Sequence, residues 1–404
     1  MEFMPSSFSP RGEGKAFDFF NWDYMQIISL VFLAGVGLVF ISSIGEQIGS
    51  SAAMVFFEKQ LQWLCAGVVV WLACSFVNMK SRLFFLFSTL FYLFTIILLT
   101  AVFFVGVKIY GATRWLSFAG FRIQPSELAK PAFCLILGVI YSRFSVNSWK
   151  GFFVGAAALA IPFLLILKEP DLGSAAIFLP VYMGIVFVSK LRWKYLLIAV
   201  LAAGLLGSAA VVNEAMNIKP VLKNYQRNRI KVFLNPDSDR LNSGYNAYQA
   251  RLAVGSGRVT GKGIGEGTQN SLGFLPHTVS NNDFIFSVIA EETGFVGCTL
   301  LILGYMLLFA SILRTAVLTD NELCRCFAVG TGIVFFSHVF INIGMSVGIT
   351  PVTGLPLPMV SYGGSSLLVT MASLGLMQSI YRNRPKEESL RRNINENQLS
   401  GLTR

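Results

Sequence analysis

Ten apolar runs, at about 25–44, 57–77, 83–107, 126–142, 151–167, 173–189, 194–212, 284–309, 325–347 and 365–381, constrain this chain more than any other feature. A helix needs roughly 20 apolar residues to cross a bilayer, so ten crossings take about half of the 404 residues. The runs show no apolar–polar alternation, and in lipid each segment must satisfy its own backbone hydrogen bonds, which argues for helices and against a barrel. Charged residues make up 13% of the chain, against about 25% in soluble domains, too few to coat a soluble protein of this size. A hydrophobic share of 54% and a mean hydropathy of +0.62 exclude disorder. The expectation is an all-α polytopic membrane protein of about ten transmembrane helices over 25–382, flanked by short tails at 1–24 and 383–404. No small-residue cleavage signature follows the first tail, so it does not read as a cleaved signal peptide.

Lysine and arginine set the orientation. With the N-terminus inside, the inner segments hold 17 of them and the short outer loops only Lys108, Arg114, Arg122 and Lys168, which satisfies the positive-inside rule. Both tails are therefore expected in the cytoplasm, and the net charge of +11 is largely a topology signal rather than a nucleic-acid-binding one. The connection 213–283, between predicted helices seven and eight, carries nine Lys/Arg yet falls outside; long loops translocate largely regardless of charge. Within it, Val221, Leu222, Tyr225, Ile230 and Phe233 interleave with Lys223, Arg227, Arg229 and Lys231, the pattern of a basic amphipathic helix on a membrane surface. A solvated helix is the alternative. The six cysteines follow no disulfide spacing and read as small buried or surface thiols. His277 and His338 are the only histidines, and no zinc-ligand spacing occurs, so histidine catalysis is not expected.

Ionisable groups at membrane depth are costly and point to function. Arg114 precedes a segment in which Ser126 is placed to cap a helix whose Glu127 and Lys130, three apart, share a face. Pro131 removes a backbone donor just inside it, which favours an irregular start lining a cavity over a local ion pair. Lys168-Glu169-Pro170-Asp171 forms a tight charged turn that is equally compatible with an ordinary Pro-Asp turn. The glycines from 255 to 267 surround Lys262 and suit a phosphate, but without Gly-Lys-Ser/Thr or a strand they are not a P-loop. Asp283 stands at the start of an apolar helix, where desolvation raises a carboxyl towards a general base, while a carboxylate favoured by the helix dipole is the plain alternative. The Gly/Pro-broken stretch 354–366, with Ser361 and Ser365, fits a cavity lining or a simple loop.

In this order, Arg114-Trp115, Gln124 to Lys130, Glu169-Pro-Asp-Leu-Gly173 and Pro358 to Ser366 resemble the SEDS family of bacterial cell-shape, division and sporulation proteins, over about 25–382. Gly244-Tyr-Asn, Gly255-Ser-Gly and Gly265-Glu-Gly-Thr-Gln269 are more similar to its elongation branch than to its division branch. The resemblance implies a peptidoglycan glycosyltransferase that polymerises lipid II on the outer face of the cytoplasmic membrane, beside a class B penicillin-binding protein. It implies Asp283 as the catalytic base and Arg114, Glu127 and Lys130 as residues of a polar substrate-binding cavity; Lys262, Ser361 and Ser365 are the further substrate-binding candidates. No tightly bound cofactor is expected, although a divalent cation, Mg or Mn, would suit the pyrophosphate leaving group. A lipid II flippase and a non-catalytic scaffold are the alternatives. One departure stands out: the family pattern has four residues between its proline and aspartate, whereas His277 to Asn282, six residues, separate Pro276 from Asp283.

Overall fold

A computed structural model describes residues 21–189 and 244–385, except 49, 110–111 and 119–120, together with isolated positions between 201 and 233. Helices stand at nine of the ten apolar runs: α1 (Tyr24–Ile48), α2 (Ser50–Ser75), α3 (Arg82–Val105), α4 (Pro125–Arg143), α5 (Trp149–Lys168), α6 (Leu172–Val188), α10 (Ile285–Leu318), α11 (Glu322–Val347) and α12 (Gly364–Arg382). Between α6 and α10 lie three short helices, α7 (Tyr245–Ser256), α8 (Thr268–Ser271) and α9 (His277–Ser280). The remaining run, 194–212, and the basic stretch 221–233 fall outside the described residues apart from single positions, as do most of both tails. Among the described helices, α1, α3, α5, α10 and α11 are long and apolar enough to cross a membrane. The chain is a mostly helical, multi-pass membrane protein.

The all-α expectation needs one correction. After α3 the chain forms a three-stranded antiparallel meander, β1 (Val107–Ile109), β2 (Ala112–Phe118) and β3 (Phe121–Ile123), in the order β1-β2-β3. Val107 pairs with Trp115, and Leu116 with Ile123. Gly106 ends α3 in extended backbone, and the β-branched and aromatic residues beyond it favour a pleated ribbon once the chain leaves the apolar run.

Helix α2 lies against α1 and α12, α4 against α3 and α11, and α10 against α1 and α11. Gly138 of α4 meets the backbone of Leu323 in α11 with no space for a side chain, so these two helices approach closely. All six cysteines are free.

One helix is broken. Within α10, Gly294 takes φ 63° and ψ −158°, outside the helical region and open to glycine without the steric cost of a Cβ. Such a break strands carbonyls before it and N–H groups after it. The glycine-rich segment following α7 takes up both sets: Lys262 and Gly263 donate backbone N–H bonds to the Glu291 and Glu292 carbonyls at 3.0 Å, and the Arg258 and Val259 carbonyls accept from Phe295 and Val296 at 2.9 and 3.1 Å. The segment 258–263 is thus laced into the break. A Cβ at Gly294 would strike the Gly261 nitrogen and the Val259 carbonyl, so glycine serves both the turn and the close approach.

Candidate active site at one end of the bundle

One end of the bundle, where α4, α6, α10 and α12 begin, gathers most of the ionisable groups singled out in the sequence. Segment 281–283 is fixed there through its main chain. Tyr362 donates its N–H to the Asn281 carbonyl at 2.9 Å, Ser361 its hydroxyl to the Asn282 carbonyl at 2.6 Å, and Asn342 its amide to the Asp283 carbonyl at 2.9 Å. Asn342 also donates to the Leu355 carbonyl at 2.8 Å, and the Ser361 hydroxyl accepts from the Leu357 N–H. Three successive carbonyls are therefore held by α11 and the stretch after it. The Asp283 carboxylate receives no hydrogen bond among the described residues and faces Gly354, whose φ is 76° and whose Cβ, if present, would lie 3.2 Å from Oδ2. Burial pushes this carboxyl up to about 6, with Asp171 adding to the rise and Arg229 and Arg114 opposing it. Asp283 does not cap α10, which begins after Phe284.

Around this carboxylate the α5–α6 turn and the meander bring further charge. Asp171 caps α6 through the Ser174 N–H at 3.1 Å, accepts from Gln124 at 3.1 Å and pairs with Arg114 at 3.6 Å. Arg114 also donates to the Pro170 carbonyl. Arg229 donates to the Thr353 carbonyl at 3.1 Å, which ties the start of the 354–366 stretch to a residue from the connection between α6 and α7. Glu169 is 1% exposed; burial, and then the Asp171 charge, push its carboxyl up to about 8 against the pull of Arg114.

A second group sits deeper, between α4 and α11. The Lys130 ammonium lies 2.6 Å from Glu127 Oε1 and 2.8 Å from His338 Nε2, and all three residues are buried. His338 Nδ1 lies 3.0 Å from the Pro356 carbonyl. A carbonyl only accepts, so Nδ1 carries the proton and Nε2 accepts from Lys130. Glu127, Lys130 and His338 line a cavity of about 20 Å³ with Thr331, Ser366 and Thr370, room for about one water. Asp171 is in electrostatic reach of both His338 and Asp283. Below this cavity, and sharing Pro131, Val369 and Ser373 with it, an apolar groove of about 450 Å³ runs between α2, α3, α4 and α12 past Phe84, Phe87 and Phe91.

Several sequence expectations change here. Ser126 does not cap α4: Gln124 is the cap, and Pro125 opens the helix, where its fixed φ and missing N–H cost nothing. Lys262 is engaged by the protein itself, 2.5 Å from Glu291 Oε1 and 2.7 Å from the Thr268 hydroxyl. Glu291 further accepts the N–H groups of Thr268 and Gln269 at 2.9 and 3.2 Å, and Glu292 accepts from Ser43 at 2.8 Å and from the Gly265 N–H at 3.1 Å. The glycine-rich loop is thus closed on two buried carboxylates. Ser361 positions the Asp283 segment, and Ser366, rather than its neighbour Ser365, lines the cavity. His338 and Asn342 were missed. Their only signal is a polar side chain inside the apolar run 325–347.

Comparison with known proteins fits this architecture. A family model described as cell cycle protein, FtsW/RodA/SpoVE, matches residues 22–386. The peptidoglycan glycosyltransferase MrdB of Escherichia coli K12 is 36% identical over 366 residues, covering 89% of this chain and 93% of its own. A chain of a solved peptidoglycan synthase complex that coordinates polymerization and crosslinking superposes with a TM-score of 0.75 at 30% identity, over 90% of this chain and 99% of that one. The crystal structure of the rod shape determining protein RodA of Thermus thermophilus gives 0.66 at 27% identity, over 91% and 99%. The chain belongs to the FtsW/RodA/SpoVE family.

Proposed function

We propose that this chain is a peptidoglycan glycosyltransferase of the elongation type, which polymerises lipid II into glycan strands at the outer face of the cytoplasmic membrane and works beside a class B penicillin-binding protein. The names of its relatives support the activity, and the likeness to a chain of a synthase complex supports the partner. In this reading the membrane domain spans 25–382 with ten crossings and both tails in the cytoplasm. The end of the bundle that carries Asp283 then faces outward, together with the loop 213–283.

The observation that carries the reading is the Asp283 carboxylate itself, held by its backbone, free of hydrogen bonds among the described residues and raised to about 6. Such a group is ionised at neutral pH yet basic enough to take a proton. It accepts the proton of the acceptor sugar's 4-hydroxyl as that oxygen bonds to the donor's anomeric carbon. The bond from that carbon to the pyrophosphate oxygen breaks, and the electron pair leaves with undecaprenyl pyrophosphate. Arg114, whose Nε has no partner, lies on the side where this negative charge develops, and Arg229 adds a second cation. Glu127 and Lys130 line the polar cavity behind them, Ser361 holds the Asp283 segment in place, and Lys262 clasps the glycine-rich loop. A polar cavity that shares part of its lining with an apolar groove suits a substrate with a charged head and a polyprenyl tail. Among the described residues no three His, Cys, Asp or Glu side chains come together, so these residues form no metal cage of their own. A Mg or Mn ion would instead arrive with the pyrophosphate, as part of the substrate.

The test is glycan-chain extension from lipid II by the purified protein with its penicillin-binding partner. Asp283→Ala should abolish it while thermal unfolding stays cooperative. Polymerisation at the normal rate by that variant would overturn the assignment of the base.

A further inference from the structure

Apart from Asp283, the candidate base, every other buried acid at this end of the bundle or in the adjoining loop has a donor among the described residues. Glu127 has Lys130; Asp171 has Gln124 and Ser174; Glu291 has Lys262 and Thr268; Glu292 has Ser43 and Gly265. Glu169 is the exception, 1% exposed with neither carboxylate oxygen hydrogen-bonded. Arg114, the cation within reach, directs its terminal nitrogens to the Pro170 carbonyl and to Asp171 instead. An ionised carboxylate in this position would have lost its water and gained no donor, with the Asp171 charge beside it.

We propose that Glu169 is held protonated and donates its O–H to a phosphate oxygen of the substrate, next to the free Nε–H of Arg114. This rests on the glycosyltransferase reading and adds a substrate-binding residue to it. The raised carboxyl, near 8, agrees with the geometry. Charge balance at the mouth points the same way. The groups facing Glu169 are Asp171 on its own turn and Arg114 from the meander; beyond them stand Asp283 ahead of α10, His338 on α11, and Arg229. With Glu169 neutral, two aspartates face two arginines. With Glu169 ionised, a third carboxylate would face the pyrophosphate, while Lys168, the next cation on the turn, is exposed at its edge. A neutral carboxylic acid offers one donor and one acceptor, and a donor aimed at an anionic oxygen makes a short, charge-assisted bond. Thr353, whose Oγ1 is likewise unpartnered, packs against Gly173 at the same turn and extends the open polar rim.

The experiment compares wild type, Glu169→Gln and Glu169→Ala in the full complex, reading kcat and KM for lipid II between about pH 5.5 and 9.5, with thermal unfolding over the same range. Because kcat/KM reports the free enzyme, the wild type should lose activity on the alkaline side with a midpoint near 8. Glu169→Gln, always neutral and still a donor, should stay within about tenfold of wild type at pH 7 and lack that alkaline limb. Glu169→Ala should raise KM by roughly 10- to 100-fold, the weight of one hydrogen bond to a charged group, with kcat changed far less. Unfolding provides a readout independent of turnover. Relative to Glu169→Gln, the wild type should lose stability as pH rises from about 4.5 through 8, since its native carboxyl binds the proton more tightly than the unfolded one. A flat stability difference, or a Gln variant as impaired as Ala, overturns the proposal. Absence of polymerisation by the wild type, with the stability difference present, would instead overturn the glycosyltransferase reading.

Discussion

Replacing Lys130 by methionine separates what the buried Glu127–Lys130–His338 group does for stability from what it does for turnover. Methionine keeps most of the length and apolar surface of the lysine stem and removes the ammonium. Glu127 Oε1 then loses a donor at 2.6 Å and His338 Nε2 one at 2.8 Å, in a place where none of the three residues is more than 6% exposed. Removing one partner of a buried pair costs about 3–5 kcal/mol, because the remaining charge is uncompensated. At about 2–4 °C per kcal/mol for domains of moderate size, unfolding should come earlier by on the order of 10 °C. The double variant Glu127→Gln/Lys130→Met removes both charges and should recover most of that loss, to within roughly 1–2 kcal/mol of wild type. Differential scanning fluorimetry in detergent, paired with lipid II polymerisation, reads both quantities. If the pair shapes the substrate cavity, the double variant is stable and inactive. A double variant with full activity would reduce the pair to a structural element, and a Lys130→Met protein that melts like wild type would refute the energetic argument itself.

Glu291→Gln should loosen the glycine-rich loop, since Lys262 loses its ion pair and the Thr268 and Gln269 N–H groups lose a charged acceptor; amide exchange across 258–269 should rise by the equivalent of about 2–3 kcal/mol, and unchanged protection would contradict the clasp. Gly354→Ala places a Cβ 3.2 Å from Asp283 Oδ2 on a backbone of φ 76°, so turnover should fall at least tenfold and stability by the roughly 1–2 kcal/mol that a left-handed alanine costs; wild-type rates would show that this carboxylate tolerates displacement. Asp283→Asn should be inactive yet more stable. Its native carboxyl is raised from 3.8 to about 6, so the stabilising contribution of the proton is complete below 3.8 and lost as pH rises through 6. At about 1.4 kcal/mol per pH unit, the variant should gain roughly 2–3 kcal/mol at pH 7.5 and nothing at pH 3.5, and equal melting at both would reject the assigned environment.

Much of this site was legible because charge is scarce in the chain. Arg114, Glu127, Lys130, Asp171 and Asp283 stand out one by one against an apolar background, and each lies at the end of the bundle that carries the candidate base or in the cavity behind it. Lys262 stood out on the same grounds, but its partner Glu291 comes from across the break at Gly294, and nothing in Glu291-Glu292-Thr293-Gly294 distinguishes a broken helix from a continuous one. His338 and Asn342 were invisible for a different reason. A single polar residue in an apolar helix is tolerated wherever it finds a partner, and theirs come from a stretch without regular structure, Pro356 and Leu355, and from Asp283. The two outer strands of the meander were hidden by length, since three-residue strands have no periodicity to detect.

The clamps on 281–283 also account for the unusual spacing before Asp283. If the base were placed by counting along the chain from Pro276, two additional residues relative to the family pattern would move it by several ångströms and turn its side chain. The segment between Pro276 and Asp283 is instead wound into turns around the short helix His277–Ser280, where Val279 and Ser280 bond back to the Pro276 carbonyl and Asp283 and Phe284 to that of Val279. Those turns absorb residues without changing where the segment ends. The endpoint is set from the other side, by donors from Asn342, Ser361 and Tyr362 on three successive carbonyls. Holding the base by its main chain has a chemical consequence as well. A side-chain donor to the carboxylate would stabilise its ionised form and lower its basicity, whereas bonds to peptide carbonyls fix position and leave the carboxylate oxygens open to a substrate hydroxyl. The same logic separates Asp283 from Asp171, whose oxygens are occupied by Gln124, Ser174 and Arg114. Of two aspartates in electrostatic contact, only the one without donors among the described residues is free to act as the base.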